Sequence, residues 1–338
     1  MGNNSDFETG LRTLFTRVFG ESQPLETFKR LSGGASQETW ALSGNGQSAI
    51  LRRAPGGTSM ARSSAAIGLP AEAKLIAAAG HTGVPVPTVL HVLSPDDGLG
   101  DGFLMSRVVG ETIARPILRN DEFAGARAVL AGQCGAALAD IHSLSLDGLP
   151  NELQQSGGLE QNAQYEEIYR GFDVPRPVFE LALQWLNATA PEPLDAVLVH
   201  GDFRLGNLMI DEQGLVAVLD WELAHLGDPR EDIAWLCVNS WRFGQSHNRV
   251  GGFGQIEDLL NAYNAKRATN FTAKEIDWWE MLGTLKWGVM CMIMYEAYRS
   301  GADPSVERAA IGRRVSETEK DLIKKNERAN EIDQIKLG

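Results

Sequence analysis

From Leu198 to Glu222 the chain runs Leu-Val-His-Gly-Asp-Phe-Arg-Leu-Gly-Asn-Leu-Met-Ile-Asp-Glu-Gln-Gly-Leu-Val-Ala-Val-Leu-Asp-Trp-Glu, and no other stretch restricts the possible folds so tightly. An apolar run ends at His200, and a polar loop follows to Gly206. Two short apolar segments, 208–210 and 215–219, flank Asp211-Glu212-Gln213-Gly214, which predicts a β-hairpin. Asp202, Asn207 and Asp220 then fall in the tight loop and at strand edges, where side chains can converge. Phosphoryl transfer needs that set: a carboxylate to orient the attacking hydroxyl, and oxygen ligands for Mg²⁺ on nucleotide phosphates. Asp202 is the candidate base, and Asn207 and Asp220 are candidate metal ligands. Glu222, two residues along the expected strand from Asp220, is a secondary ligand candidate. The competing account is a polar turn with scattered Asp and Asn, which leaves three functional positions in register unexplained.

The order His-x-Asp, an Asn five residues after the Asp, then a further Asp is also that of protein kinases. Here the loop is His-Gly-Asp, and Asp220 is followed by Trp-Glu rather than Phe-Gly. The stretch resembles the aminoglycoside phosphotransferase family of small-molecule kinases, which shares the protein-kinase fold. Its wording is most similar to the kinase-like domain that precedes some acyl-CoA dehydrogenase domains, and to bacterial stand-alone phosphotransferases. The resemblance implies an α+β, two-lobed kinase-like fold. Residues 1–106 would form a small antiparallel-sheet lobe for the nucleotide, and 107–338 a larger, mainly helical lobe with the catalytic loop, metal site and substrate-binding helices. ATP or GTP with Mg²⁺ would lie between them. Asp202, His200 and Arg204 are the catalytic candidates. A cation at 204 would stabilise charge on the transferred phosphoryl group, or else pair with a surface acid.

At 338 residues and 43% hydrophobic, the chain can build a core of that size. A formal net charge of −13 makes a poor general nucleic-acid binder. Cys134, Cys237 and Cys291 are far apart and form neither a disulfide framework nor a zinc motif, which suits a reducing compartment. No signal-peptide pattern opens the chain, Met1-Gly2 lacks the Ser or Thr at position 6 of a myristoylation start, and no apolar run nears the roughly 18 residues of a membrane span. A cytoplasmic protein with no membrane or nucleic-acid partner is expected; the oligomeric state leaves no trace in the sequence.

Upstream, residues 6–20 carry apolar residues at helical spacing. Strands are expected at 28–31 and 38–42, joined by Ser32-Gly33-Gly34-Ala35-Ser36. Glycines there permit close backbone approach to phosphates, making Ser32, Gly33, Gly34 and Ser36 cofactor-binding candidates. In the next strand, 48–53, the kinase alignment puts Arg52 at the phosphate-binding lysine position, with Arg53 on the opposite, solvent-side face. Glu72, in the first turn of a helix over 70–79, is the candidate partner of Arg52. By resemblance, Met105, Ser106, Arg107 and Val108 form the hinge whose backbone meets the purine.

Downstream, a helix is expected over 120–142. Asp228, Pro229 and Glu231 look like an N-cap, first helical residue and reciprocal capping acid. In similar proteins Asp232 faces inward and ties down the catalytic loop. The segment 276–298 is apolar nearly all round, which signals burial. Over 317–335, Lys324 and Lys325 look like a solvated face. A small-molecule O-kinase accounts best for the whole. A protein kinase would need an activation segment, and almost no room separates Asp220 from Asp228. A silent nucleotide-binding module would not need Asp202, Asn207 and Asp220 intact. The expected acceptor is a partly apolar alcohol such as a hydroxyacyl compound, because 276–298 offers tryptophans and methionines with Glu280 and Glu296 as its main acids. A true aminoglycoside or macrolide kinase is the alternative.

Overall fold

The computed structural model describes residues 2–31, 37–55 and 66–337, with side chains at 2–5 and 328–337 left aside. Helix α1 (Gly2–Phe19) leads into five antiparallel strands: β1 (Thr27–Arg30), β2 (Glu38–Gly44), β3 (Gln47–Arg53), β4 (Val89–Val92) and β5 (Gly102–Ser106), in the order β1-β2-β3-β5-β4. Helix α2 (Leu69–Gly80) crosses between β3 and β4. Alternation along β3 buries Ala49 and Leu51 on one face and aims Arg52 to the other. α1 covers the first face, where Leu11, Leu14 and Phe15 meet Leu42, Leu51 and Leu104.

That covering helix corrects the expectation for Arg53. Arg53 does take the face opposite Arg52, but α1 shields it from solvent. Its guanidinium lies 4.0 Å over the Phe7 ring, its Nε donates to Glu38 at 2.8 Å and its Nη1 to the Leu99 carbonyl at 3.1 Å.

The remainder is mainly helical: α3 (Ala114–Arg119), α4 (Ala124–Ile141), α5 (Gly158–Arg170) and α6 (Pro177–Ala188) precede a pair of small sheets. β6 (Val197–Val199) pairs with β9 (His225–Gly227), and the expected hairpin is β7 (Leu208–Asp211) with β8 (Gly214–Val218). Then come α7 (Arg230–Cys237), α8 (Ile256–Arg267), α9 (Ala273–Arg299), α10 (Val306–Gly312) and α11 (Val315–Leu337). The helix expected from Asn120 starts later, at Ala124, because the chain is extended at Asn120 and makes a 3₁₀ turn over 121–123. α9 is the buried centre: Trp278, Trp279, Leu282, Leu285 and Trp287 are all in the core. The α+β, kinase-like expectation holds, as a five-stranded sheet followed by a helical part. No helix among the described residues is long and apolar enough to cross a membrane.

Two charged groups depart from expectation. Lys325 does not lie on a solvated face; it meets the buried Glu280 of α9 at 2.6 Å. Arg242 and Arg249 reach the same carboxylate, both at 2.6 Å. Three cations hold Glu280 ionised despite burial, with its pKa lowered to about 2. Glu231 does not reach back to cap α7; its carboxylate is buried with His225 at 3.1 Å and Lys286 at 3.3 Å. Asp228 does accept the buried N–H of Arg230 at the start of α7, at 2.9 Å.

Candidate active site

Beyond β6 the chain must turn sharply at Gly201. Its φ is +77°, and a Cβ there would lie 2.3 Å from the Leu223 carbonyl oxygen, so only glycine fits. Asp232, fully buried on α7, holds this turn. Its carboxylate accepts the backbone N–H groups of His200 at 2.7 Å and Gly201 at 2.9 Å, and His142 Nε2 at 3.1 Å. His142 Nδ1 in turn meets the Tyr263 hydroxyl at 2.9 Å. Burial alone would raise the Asp232 pKa; the hydrogen bond and charge of His142 outweigh it and keep the group below its ordinary range.

His200 is placed differently from a reacting group. Its Nε2 lies 3.0 Å from the Leu219 carbonyl, so it must carry the proton, and its Nδ1 accepts the Asp202 N–H at 3.2 Å. Burial lowers its pKa and keeps the ring neutral. With both nitrogens committed to backbone, the ring shapes the loop and offers none to a substrate.

Asp202 is surrounded by donors. Asn207 Nδ2 donates to Oδ2 at 2.6 Å and to the Asp202 carbonyl at 3.0 Å. Arg204 Nε donates to Oδ1 at 2.9 Å, and Trp235 Nε1 reaches the same oxygen at 2.7 Å. Arg204 lies 4.7 Å over the ring of Trp241, which packs between Trp235 and Trp287. Trp235 carries no sequence signal, since within the apolar run 233–238 it looks like core.

Opposite this loop, Asp220 has φ +65°, a left-handed conformation that Asp tolerates better than most residues. Its carboxylate accepts Arg52 Nη2 at 2.8 Å. Arg52 also meets Glu72 at 3.3 Å and donates from Nε to Gln37 Oε1 at 2.8 Å, so the expected Arg52–Glu72 approach is present. Burial would lower the arginine's pKa, but Glu72 and Asp220 raise it; burial likewise would raise Asp220, and Arg52 lowers it. Glu222 does not follow Asp220 on a strand. The left-handed Asp220 and the turn at 222–223 break the alternation, and Glu222 Oε2 accepts from Gln37 Nε2 at 2.9 Å. Gln37, which bridges Arg52 and Glu222, gave no sequence signal.

Because Asn207 Nδ2 faces Asp202, its Oδ1 is the end left for a cation, and Asp220 supplies a carboxylate. Among the described residues no group of three or more His, Cys, Asp or Glu is arranged to hold a metal by itself. Mg²⁺ in kinases is held by one or two protein groups together with substrate phosphates and waters, so this sparse set fits it. Ser32, Gly33, Gly34 and Ser36 lie outside the described residues. Of the hinge candidates, Met105 and Ser106 are still within paired β5; the Ser106 N–H donates to the Thr88 carbonyl at 2.8 Å, and its hydroxyl accepts the Thr88 N–H at 2.9 Å. Arg107 and Val108 lie just beyond the strand.

Residues 27–268 match the Phosphotransferase enzyme family, APH. Mouse acyl-CoA dehydrogenase family member 10 is 32% identical over 212 residues, covering 61% of this chain and 20% of that protein. Human acyl-CoA dehydrogenase family member 11 is 24% identical over 299 residues, covering 84% of this chain and 38% of that protein. The chain thus spans between a fifth and two fifths of these curated relatives. In fold it is similar to a candidate aminoglycoside phosphotransferase from Ralstonia eutropha, with TM-score 0.73, 20% identity and 95% and 98% of the two chains covered. Aminoglycoside 2'-phosphotransferase-IIIa in its GDP complex gives TM-score 0.64 at 13% identity, covering 97% and 99%.

Proposed function

The chain belongs to the Phosphotransferase enzyme family, a family of small-molecule kinases, and from that premise we propose that it transfers the γ-phosphoryl group of ATP or GTP to a hydroxyl of a small, partly apolar molecule. The observation that carries this reading is that the Asn207–Asp202 and Arg52–Asp220 pairs lie side by side, joined where the Leu219 N–H donates to the Asn207 carbonyl at 2.8 Å. Asp202 takes the proton of the acceptor hydroxyl. The hydroxyl oxygen forms a bond to the γ-phosphorus while the bond from that phosphorus to the β–γ bridging oxygen breaks, and the nucleoside diphosphate leaves with the electron pair. Asn207 Oδ1 and Asp220 would hold Mg²⁺, which would supply charge neutralisation on the phosphates. Arg52 anchors phosphate from the sheet side, and Arg204 stabilises the transferring group once it leaves Asp202. Residues 1–106 hold the nucleotide, with the backbone of Arg107 and Val108 at the purine edge, and 107–338 supply the base and acceptor site. A nucleotide cofactor is supported by the GDP complex of the fold neighbour. A cytoplasmic setting fits three buried, unpaired thiols.

Acceptor chemistry follows from the surroundings of Asp202. A polycationic sugar needs convergent free carboxylates, since each ammonium must be paired once desolvated. Glu280 already faces three cations, and Glu296 pairs with Arg299 at 2.7 Å. The packing beneath Arg204 is instead aromatic: its guanidinium lies over Trp241, which packs against Trp235 and Trp287. This favours an apolar alcohol such as a hydroxyacyl compound, consistent with relatives that join a similar segment to an acyl-CoA dehydrogenase.

The test is transfer from Mg·ATP and Mg·GTP across apolar alcohols, hydroxyacyl thioesters, sugars, aminoglycosides and macrolides. A kcat/KM above about 10⁴ M⁻¹s⁻¹ on kanamycin-like compounds, with nothing comparable on apolar alcohols, would overturn the acceptor assignment. Asp202→Asn should bind nucleotide normally and lose at least about 10²-fold in kcat. Activity near wild type in that variant would remove Asp202 as the base.

A further inference from the structure

A carboxylate has about four acceptor positions, two on each oxygen. On Asp202, Oδ1 already receives Arg204 Nε and Trp235 Nε1, while Oδ2 receives Asn207 alone. The vacancy for an incoming hydroxyl is therefore on Oδ2, the oxygen next to the amide whose other end faces the metal position. Arg204 is a long side chain stacked on Trp241 and is the one donor of the three able to swing away toward a phosphoryl group. Trp235 is rigid and only 5% exposed. Its ring packs on Trp241, with centroids 5.4 Å apart, and Lys286 Nζ lies 5.3 Å from its centre on a face. A cation over the ring draws electron density from the indole and strengthens its N–H as a donor. Lys286 is itself pinned there by Glu231 at 3.3 Å and Gln161 at 3.4 Å.

We propose that Trp235 is a positioning residue of the transfer reaction: its indole N–H fixes Oδ1 of Asp202, so that Oδ2 stays aimed at the acceptor hydroxyl while Arg204 moves. The assignment rests on Asp202 being the base. Its aromatic neighbours Trp241 and Trp287 are buried with no acceptor at their indole N–H among the described residues, whereas Trp235 aims its N–H at that oxygen at 2.7 Å.

Three measurements test it. In a ¹⁵N–¹H spectrum of the indoles, the cross-peak lost in Trp235→Phe should be downfield in the intact protein and move upfield in Asp202→Ala; an unmoved peak means no such hydrogen bond and overturns the proposal. Next, ADP release from Mg·ATP is followed with water as acceptor and with the best acceptor of the panel above. Trp235→Phe should lower kcat about ten-fold while the KM for ATP stays within about two-fold, as for loss of one orienting contact. Finally, Trp235→Phe placed in the Asp202→Asn background should cause no further loss, because the residue acts only through that carboxylate. Losses that multiply in the double variant, or a Trp235→Phe enzyme with unchanged kcat, refute it. If Trp235→Phe does not fold, the benzothienyl analogue of tryptophan at 235 replaces the N–H by sulfur in nearly the same shape, and the same outcomes apply. Asp202→Asn retaining full kcat instead removes the base assignment itself, whereas an inactive Asp202→Asn beside a fully active Trp235→Phe removes only the role of Trp235.

Discussion

Replacing Asp232 with Ala should destabilise the protein by about 4 kcal/mol and displace the catalytic loop at once. The side chain is fully buried and accepts three hydrogen bonds, from the N–H groups of His200 and Gly201 and from His142 Nε2. Each donor left without a partner in the interior costs about 1–3 kcal/mol. The two backbone donors cannot rearrange, because Gly201 is locked between a positive φ and the Leu223 carbonyl. His142 keeps its contact with the Tyr263 hydroxyl and loses less. Water entering the vacated volume recovers part of the loss, which brings the three-donor sum of about 3–9 kcal/mol down to about 4. Asp232→Asn should cost about half as much, since its single oxygen still accepts two of the three donors while its amide N–H₂ opposes the third. Urea unfolding followed by tryptophan fluorescence gives both values, with an unchanged slope if the native and unfolded states keep their compactness. Turnover should fall in the same variants because His200 and Gly201 set the path to Asp202. A loss under about 1 kcal/mol for Asp232→Ala, with intact kcat, would refute the anchoring argument.

Arg52→Ala should raise the KM for ATP markedly, whereas Arg53→Ala should leave it alone and lower the urea midpoint, since Arg53 is held by Glu38 and Phe7 behind the sheet; the reverse pattern would reassign the phosphate contact. Calorimetry should find that Asp220→Ala and Asn207→Ala weaken Mg²⁺-dependent ATP binding, and unchanged affinity and Mg²⁺ dependence in Asp220→Ala would remove the metal role. Acid sensitivity should carry a His200 contribution. Burial holds its pKa below 6.5, so the unfolded chain binds that proton first. The stabilisation is intact above that pH and is lost as pH falls through the depressed folded value. His200→Gln should therefore show a shallower loss of stability than wild type between about pH 6.5 and 5, and equal slopes would count against the buried neutral ring.

The fold class was legible through the resemblance carried by 198–222, and individual elements were legible because their signals are local. Turn residues at 211–214 between two apolar runs can only make a hairpin, and a segment apolar on every side, as at 276–298, can only be buried. Asp202 and Asn207 were legible for the same reason: one loop carries both, and the structure joins them at 2.6 Å. What the sequence could not carry was decided by contacts between distant elements or by a single torsion. Arg53 is buried because α1, remote in sequence, lies on that face of β3. Glu222 leaves the strand alternation expected of it because Asp220 is left-handed and a turn follows, yet Gln37 still ties it to Arg52. Lys325 and Glu280 meet because α11 packs on α9, and no period within either helix announces a partner in the other. Trp235 reaches Asp202 only because α7 folds beneath the catalytic loop. Local sequence sets the period and the turn, and with them each element's faces. Which faces meet depends on how all the elements pack together, and the side chains whose role lies in that meeting stay silent until the chain is folded.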